Sequence, residues 1–472
     1  MFENVLGQPA AAQLARDIGE GLLAPSMLFC GPPASGKGTA GLELGRILSC
    51  ENAASRGAWN CSCSACSHHR SLSHPDILLL GLRSFSAEIA ASSAAFLREP
   101  GTPSVRLLFQ RSLRKLLARF SPVLWEDETK FGKIRGPLTA LEEDADDLSA
   151  LAGEGRPLPP PEALKKLCGR ILKNASKLEA EGMGEGVPVS QIRRAAFWSR
   201  LAPQGKHKLL LIENADRMSE GGRNSLLKIL EEPPGTVTIV LTSPREESLL
   251  PTILSRLRPY YFAPRIASLE AEVIRRVFRD PVYADALGAG RAEKNRDAGP
   301  GKEVRAYLDS FLPMPGNVLP LAAFFAASVA YAAAVDLRRR GGNSLPPPLV
   351  ALGKYTAPIA EAAGFGRPLE DLRAVLAKVL GELENFEARD LFSQFLSRLL
   401  ALVSESFKSL LVSPQEFPAP HSHWILYNDI WKNTVKETDI AVNTYNQNPA
   451  LALERLGTEL RRALGERYET VY

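Results

Sequence analysis

Residues 26–48 read SMLFCGPPASGKGTAGLELGRIL. Residues 26–30 form a short apolar strand, residues 31–39 a glycine-rich turn, and a helix follows from Lys37 to Leu48. Strand, glycine loop and helix in that order are the entry to a parallel α/β sheet. The turn fits G-x-x-x-x-G-K, in which backbone N–H groups at a helix N-terminus cradle phosphate and the lysine adds a point charge. The residues placed to hold a nucleotide are Gly31, Ser35, Gly36, Lys37, Gly38 and Thr39. The position after the lysine ordinarily carries a hydroxyl that binds Mg²⁺. Here it is Gly38, and Thr39, one position late, points about 100° away on a helix. Binding of ATP or ADP is left open by this pattern, whereas Mg²⁺-assisted hydrolysis is expected to be impaired.

Outward from this loop, residues 77–80 (ILLL), 208–212 (KLLLI) and 236–242 (TVTIVLT) read as further strands. The central run lacks polar alternation, as expected of a strand covered on both faces. It ends in Glu213-Asn214, where an active site of this kind presents Asp-Glu. An amide takes no proton from water at neutral pH, so Asn214 is no general base. Asp216 is placed to cap the next helix. Helices are expected over 9–23, 189–201 and 219–231, the last stopped by Pro233-Pro234, and nearly everything beyond residue 263 reads as helix, with breaks near 287–302 and 344–348.

Residues 82–186 differ in character. A basic amphipathic helix over 104–120 carries Arg106, Arg111, Arg114, Lys115 and Arg119 over an apolar stripe of Val105, Leu108 and Leu116. An acidic run, a proline hinge at 157–161 and a second basic helix from about 162 to 180 follow. The segment reads as an insertion of helices on flexible linkers. Its basic face is expected to be solvated, with contact to nucleic-acid phosphate or docking to a partner as the alternatives.

Four of the six cysteines, Cys50, Cys61, Cys63 and Cys66, fall within 17 residues. Six in a chain of 472 are too few for a disulfide framework, and the cluster points to a tetrahedral Zn²⁺ held by four thiolates. Four protein ligands leave no open position for substrate, so the role is structural. Only one residue separates Cys61 from Cys63, so His68 or His69 could replace one thiol, and unligated or redox-active thiols are the other reading. Cys30 and Cys168 read as packing residues. Lys plus Arg number 57 against 53 Asp plus Glu, too small an excess to demand or exclude a nucleic-acid partner. The N-terminus lacks the basic start and apolar core of a signal peptide. The longest apolar run, residues 321–335, is shorter than the roughly 20 residues of a membrane span. A cytoplasmic location without membrane association is the expectation.

The stretch 214–256 resembles the core of the AAA+ clamp-loader subunits of bacterial DNA polymerase III, the delta-prime and gamma/tau types. The resemblance rests on NSLLKILEEPP (224–234) and LPTILSR (250–256), with VLGQ (5–8), His74-Pro75-Asp76 and Gln191-Ile192-Arg193 in support. It covers 1–81 and 187–262, and residues 445–454 resemble the end of the family's collar. It implies an α/β P-loop AAA+ domain over 1–262, with a zinc module at about 50–66 and the insertion at about 82–186. An all-α lid over 263–330 and an all-α oligomerising collar over 331–472 follow. The family carries a four-cysteine zinc module at this place. Its serine-arginine-cysteine motif gives an arginine to ATP on a neighbouring subunit, and is matched by Ser255-Arg256-Leu257. Thr242 stands at the first sensor and Asn317 replaces the arginine of the second. The degraded site is similar to the delta-prime stator, a subunit that completes the ring without hydrolysing ATP. The implied partners are gamma/tau and delta subunits, the sliding clamp and, through the complex, primed DNA. A gamma/tau-type motor ATPase and an AAA+ interaction module outside replication are the alternatives.

Overall fold

A computed structural model describes residues 1–125, 131–151, 158–183, 186–288, 303–311, 318–341, 345–382, 389–411, 421–443, 445 and 447–466. The chain divides into two units, Met1–Leu312 and Pro313–Tyr472.

The first unit opens with α1 (Pro9–Gly19), β1 (Ser26–Cys30), α2 (Lys37–Ser49), α3 (Ser64–Ser71) and β2 (Ile77–Gly81). Helices α4 (Ser86–Arg98), α5 (Pro103–Leu117), α6 (Pro122–Trp125), α7 (Phe131–Ala150), α8 (Pro161–Gly182) and α9 (Val189–Arg200) lead to β3 (Lys208–Glu213). Then come α10 (Glu220–Glu231), β4 (Val237–Ser243), α11 (Pro251–Leu254) and β5 (Arg258–Tyr261), followed by α12 (Ala267–Val277), α13 (Pro281–Gly288) and α14 (Glu303–Asp309). The five strands are parallel in the order β2-β3-β4-β1-β5. Every residue of β1, β3 and β4 is buried, which is why their sequences run apolar without alternation.

Period-two geometry sends alternate side chains to opposite faces. Met27, Phe29, Leu79, Leu209, Leu211 and Val240 face a core shared with α1 and α2. Leu28, Cys30, Leu78, Leu80, Leu210, Ile212, Ile239 and Leu241 face the other, which is covered by residues of α4 to α10. The described helices of the 82–186 segment are therefore packed into the domain, while the expected linkers lie largely outside the described residues. In α5, Val105, Phe109, Leu113 and Leu116 are buried in the same core as the sheet, and so are Leu164, Cys168, Ile171 and Leu178 of α8. Of the apolar stripe expected over 104–120, Val105 and Leu116 lie in this core, joined by Phe109 and Leu113, whereas Leu108 is half-buried against a separate cluster with α12–α14.

The second unit is all helix among the described residues: α15 (Val318–Arg339), α16 (Pro347–Ala362), α17 (Leu372–Glu382), α18 (Arg389–Leu411), α19 (His421–Asn443) and α20 (Pro449–Glu466). Position 330, expected as the boundary between lid and collar, falls inside the continuous helix α15, and the chain divides instead at 312–313. By length and composition α15 is apolar enough to cross a membrane, yet 72% of its apolar window is buried within the fold. Phe325 sits at its centre, fully buried, edge-on to Phe395 at 5.9 Å and against Gly457. Phe325→Ala is expected to destabilise this unit by about 3–5 kcal/mol, read as a lower denaturant midpoint of the full chain. The break expected at 287–302 lies almost wholly outside the described residues, as does Asn317.

Candidate phosphate-loop site and metal centre

The glycine loop leaves β1 at its C-terminal end, the edge at which parallel α/β sheets bind ligands. Gly31 has φ +152°, and a Cβ there would lie 2.2 Å from the Phe262 carbonyl oxygen, so only glycine fits. Ser35 and Lys37 are buried. The Lys37 ammonium does not reach into an open cradle. It donates to the carbonyls of its own loop, Gly31 and, at 2.7 Å, Pro32. Burial holds it down to about 8, although Cys30, Glu213 and Asp216 favour the charged form. Thr39 is half-buried on α2. On the far side of the loop Arg265 donates to Ala34 O at 2.7 Å and Leu6 O at 3.0 Å. The space left between residues 32–35 and Pro264, Arg265 and Glu270 is too narrow to admit a water-sized molecule. Ligand pockets ordinarily begin at about 300 Å³.

Glu213, at the C-terminal end of β3, faces Gly38. A Cβ at position 38 would lie 2.6 Å from Glu213 Oε1. That oxygen accepts from Arg83 Nη1 at 3.2 Å, and Oε2 accepts from Arg119 Nη2. Burial pushes Glu213 up, but Arg83, Arg119 and Lys115 outweigh it and hold the carboxyl below its ordinary range. Asn214 stands in the left-handed region at φ 52°, its side-chain amide donating to Leu82 O at 2.6 Å and its backbone N–H to Thr242 Oγ1 at 3.1 Å. The Thr242 hydroxyl is thus a brace for Asn214. Asp216 is buried and does not cap α10. Ser219 does so, accepting from the Gly222 N–H at 3.2 Å.

The basic face of α5, expected to be solvated, is half-buried and paired, and Arg119 just beyond its end is buried. Lys115 pairs with Glu88, Arg119 with Glu213, and Arg111 donates to His69 O at 3.1 Å and to Arg70 O. The spacing of Arg111, Lys115 and Arg119 by four put them on one helix face, the only signal the sequence carried. Their partners lie up to 94 residues away in the chain.

Arg256 is at the other end of the sheet. Arg258 is level with Met27 in the β1–β5 register, and Arg256 lines an open groove of about 390 Å³ together with Pro25, before the start of β1. Gly31 lies six residues beyond Pro25, about 20 Å along an extended strand. Arg256 is 31% exposed and is held by Glu231 at 2.6 Å and by Thr252 O at 2.6 Å.

The four cysteines converge. Cys50 caps the end of α2, Cys63 caps the start of α3, Cys66 sits one turn in, and Cys61 comes from the loop between. All four Sγ atoms lie within 4.8 Å of one another, with Cys50 to Cys61 at 3.7 Å and Cys50 to Cys63 at 4.0 Å. Tetrahedral Zn–S bonds of about 2.3 Å require sulfur atoms about 3.8 Å apart, so the set fits zinc. The one-residue gap is absorbed because Cys63 is the N-cap, its Sγ accepting from Cys66 N at 3.5 Å. Neither histidine joins the set: His68 turns to Ser64 O at 2.9 Å and His69 stacks on His74 at 4.3 Å. Outer donors favour thiolate, with Ser55 Oγ 3.1 Å from Cys61 Sγ and Arg46 Nη1 3.3 Å from Cys66 Sγ. The Ser55 hydroxyl brings Cys61 down to about 6, whereas burial raises Cys66.

Residues 167–265, from α8 to just past β5, match the family described as DNA polymerase III, delta subunit. The chain is 40% identical over 80 residues to DNA polymerase III subunit delta' of Pseudomonas aeruginosa, covering 17% of this chain and 24% of that protein. It is 29% identical over 143 residues to DNA polymerase III subunit gamma/tau of Mycobacterium tuberculosis, covering 29% and 23%.

The chain resembles DNA polymerase III clamp-loader subunits.

The matches span about a quarter of each relative's length. Among solved structures, a gamma subunit-related protein of Thermotoga maritima aligns over 60% of this chain and 81% of its own with 16% identity and a TM-score of 0.24.

Proposed function

We propose that this chain is a clamp-loader subunit of DNA polymerase III of the delta-prime type: a stator that helps load the sliding clamp onto primed DNA and does not hydrolyse ATP itself. It works in the cytoplasm in a ring with gamma/tau and delta subunits, and it carries one structural Zn²⁺ on Cys50, Cys61, Cys63 and Cys66. Arg256 supplies positive charge to the ATP of a neighbouring subunit. The observation that carries this reading is the separation of two features. The phosphate loop at one edge of the sheet has its carboxylate committed to arginines. A half-exposed arginine stands at the opposite edge, beyond reach of that loop. The longer match to gamma/tau favours a motor ATPase as the second reading. Gly38 and the amide of Asn214 speak against it.

The test is ATP turnover by the purified chain, alone and mixed with its host's gamma/tau and delta subunits. No turnover alone, with faster turnover by the motors on mixing, is the expected result. Turnover by the chain itself at motor-like rates would hand the assignment to the motor reading.

A further inference from the structure

In a working phosphate loop, the hydroxyl after the lysine and a carboxylate at the end of a neighbouring strand hold Mg²⁺ between them. Here the two sides have no gap. Glu213 Oε1 already lies 2.6 Å from where a Cβ of residue 38 would stand, so a side chain or cation there would have to displace a carboxylate that its arginines hold in place. Both oxygens of the carboxylate are taken, one by Arg83 and one by Arg119. The residues present do not fit a magnesium nucleotide.

We propose that the 82–186 segment is an internal plug: the guanidinium groups of Arg83 and Arg119 stand where the divalent cation of a working site would stand, and they close the loop to magnesium nucleotides. Two guanidiniums bring the same charge as one Mg²⁺, and arginine stays protonated at any physiological pH. They are preorganised. Arg83 and Arg119 lie over the ring of the fully buried Phe85 at 5.0 and 5.4 Å. Glu88 of α4 anchors Arg83 and Lys115, and Lys115 is one turn before Arg119 on the same strip of helix. Lys37 is spent on its own loop, and Arg265 seals the opposite side. This gives the extra segment a role, and glycine at position 38 leaves the Glu213 carboxylate undisturbed between its arginines. The plug goes beyond the clamp-loader reading and is tested on the full-length chain alone, so the two fail separately.

Equilibrium dialysis of the full chain with Mg·ATP or Mg·ADP is expected to retain no nucleotide, and neither should move the melting temperature. Retention near one equivalent would overturn the plug. In Glu213→Gln the shared counter-charge is lost while the cations remain. Its melting temperature is expected to fall by several degrees and to be restored by inorganic triphosphate without Mg²⁺, to which the wild type does not respond. A variant with unchanged melting and no response to triphosphate would overturn the proposal. If Glu213→Gln cannot be recovered folded, Arg83→Gln, at a side chain 26% exposed, decides the matter. The released Oε1 is expected to take up Mn²⁺, seen as loss of the free-ion resonance signal, and no uptake would overturn the proposal.

Discussion

Arg256→Ala is expected to slow ATP turnover about a thousandfold at the one site that Arg256 serves, while the complex stays assembled. An arginine given in trans stabilises charge developing on the transferred phosphoryl group and contributes about 10³–10⁵ in rate. The chain itself should barely notice the change, because the Arg256–Glu231 pair is a surface ion pair, and such pairs contribute about 0–1 kcal/mol. Rate and assembly therefore separate: turnover is followed in the mixture, and complex size by gel filtration. Arg256→Lys should rescue little, since a point ammonium lacks the planar fork that meets two oxygens at once. In the proposed role, Arg256 exchanges Glu231 and the Thr252 carbonyl for phosphate. An Arg256→Ala complex that turned over ATP at the normal rate would remove Arg256 from any functional role.

The second large effect is on stability. Removing zinc, by chelation or through Cys66→Ala, is expected to lower the melting temperature of the chain by about 10 °C or more. Structural zinc contributes apparent free energies of about 10–16 kcal/mol in isolated finger peptides, and a ligand lost from a closed set forfeits a large part of that. The reason is local. The loop between α2 and α3 has little apolar content of its own, and its order depends on the four thiols and on the buried Arg46, which bonds Cys66, Ala58 O and Gly57 O. Metal analysis should return one equivalent, and thiol reagents should reach Cys61 and Cys66 only after chelation. Less than about half an equivalent in protein purified without chelator would count against the centre.

Strands β1, β3 and β4 were legible because burial on both faces leaves long apolar runs that nothing else in the chain imitates. Strand β5 was missed. It reads RPYY, and a proline is tolerated there only because β5 is an edge strand. The phosphate loop and the cysteine set were legible because their chemistry is written in local spacing. What could not be read was who pairs with whom across the fold. Arg119 looked like one more charge on a wet helix face until Glu213 was placed beside it. The alanine- and serine-rich α4 carries too weak a pattern to announce a helix packed against the sheet. The expected use of Asp216 as a cap failed for a simpler reason: Ser219, three residues on, stands immediately before α10.

The order of the strands also sets a timetable. β1 is made early, yet its neighbours are β4 and β5: Ser26 waits for Ile239 and Met27 for Arg258. Some 200 residues of synthesis separate them, about 10–40 s at 5–20 residues per second. β2 waits for β3 in the same way, with helices α4 to α9 made in between. The cysteine set, spread over 17 residues, can close around its metal as soon as it leaves the ribosome. With the proposed zinc bound, a growing chain would carry a closed metal knot between two unpaired apolar strands for much of its synthesis. During that interval those strands are its main exposure to aggregation and to proteolysis.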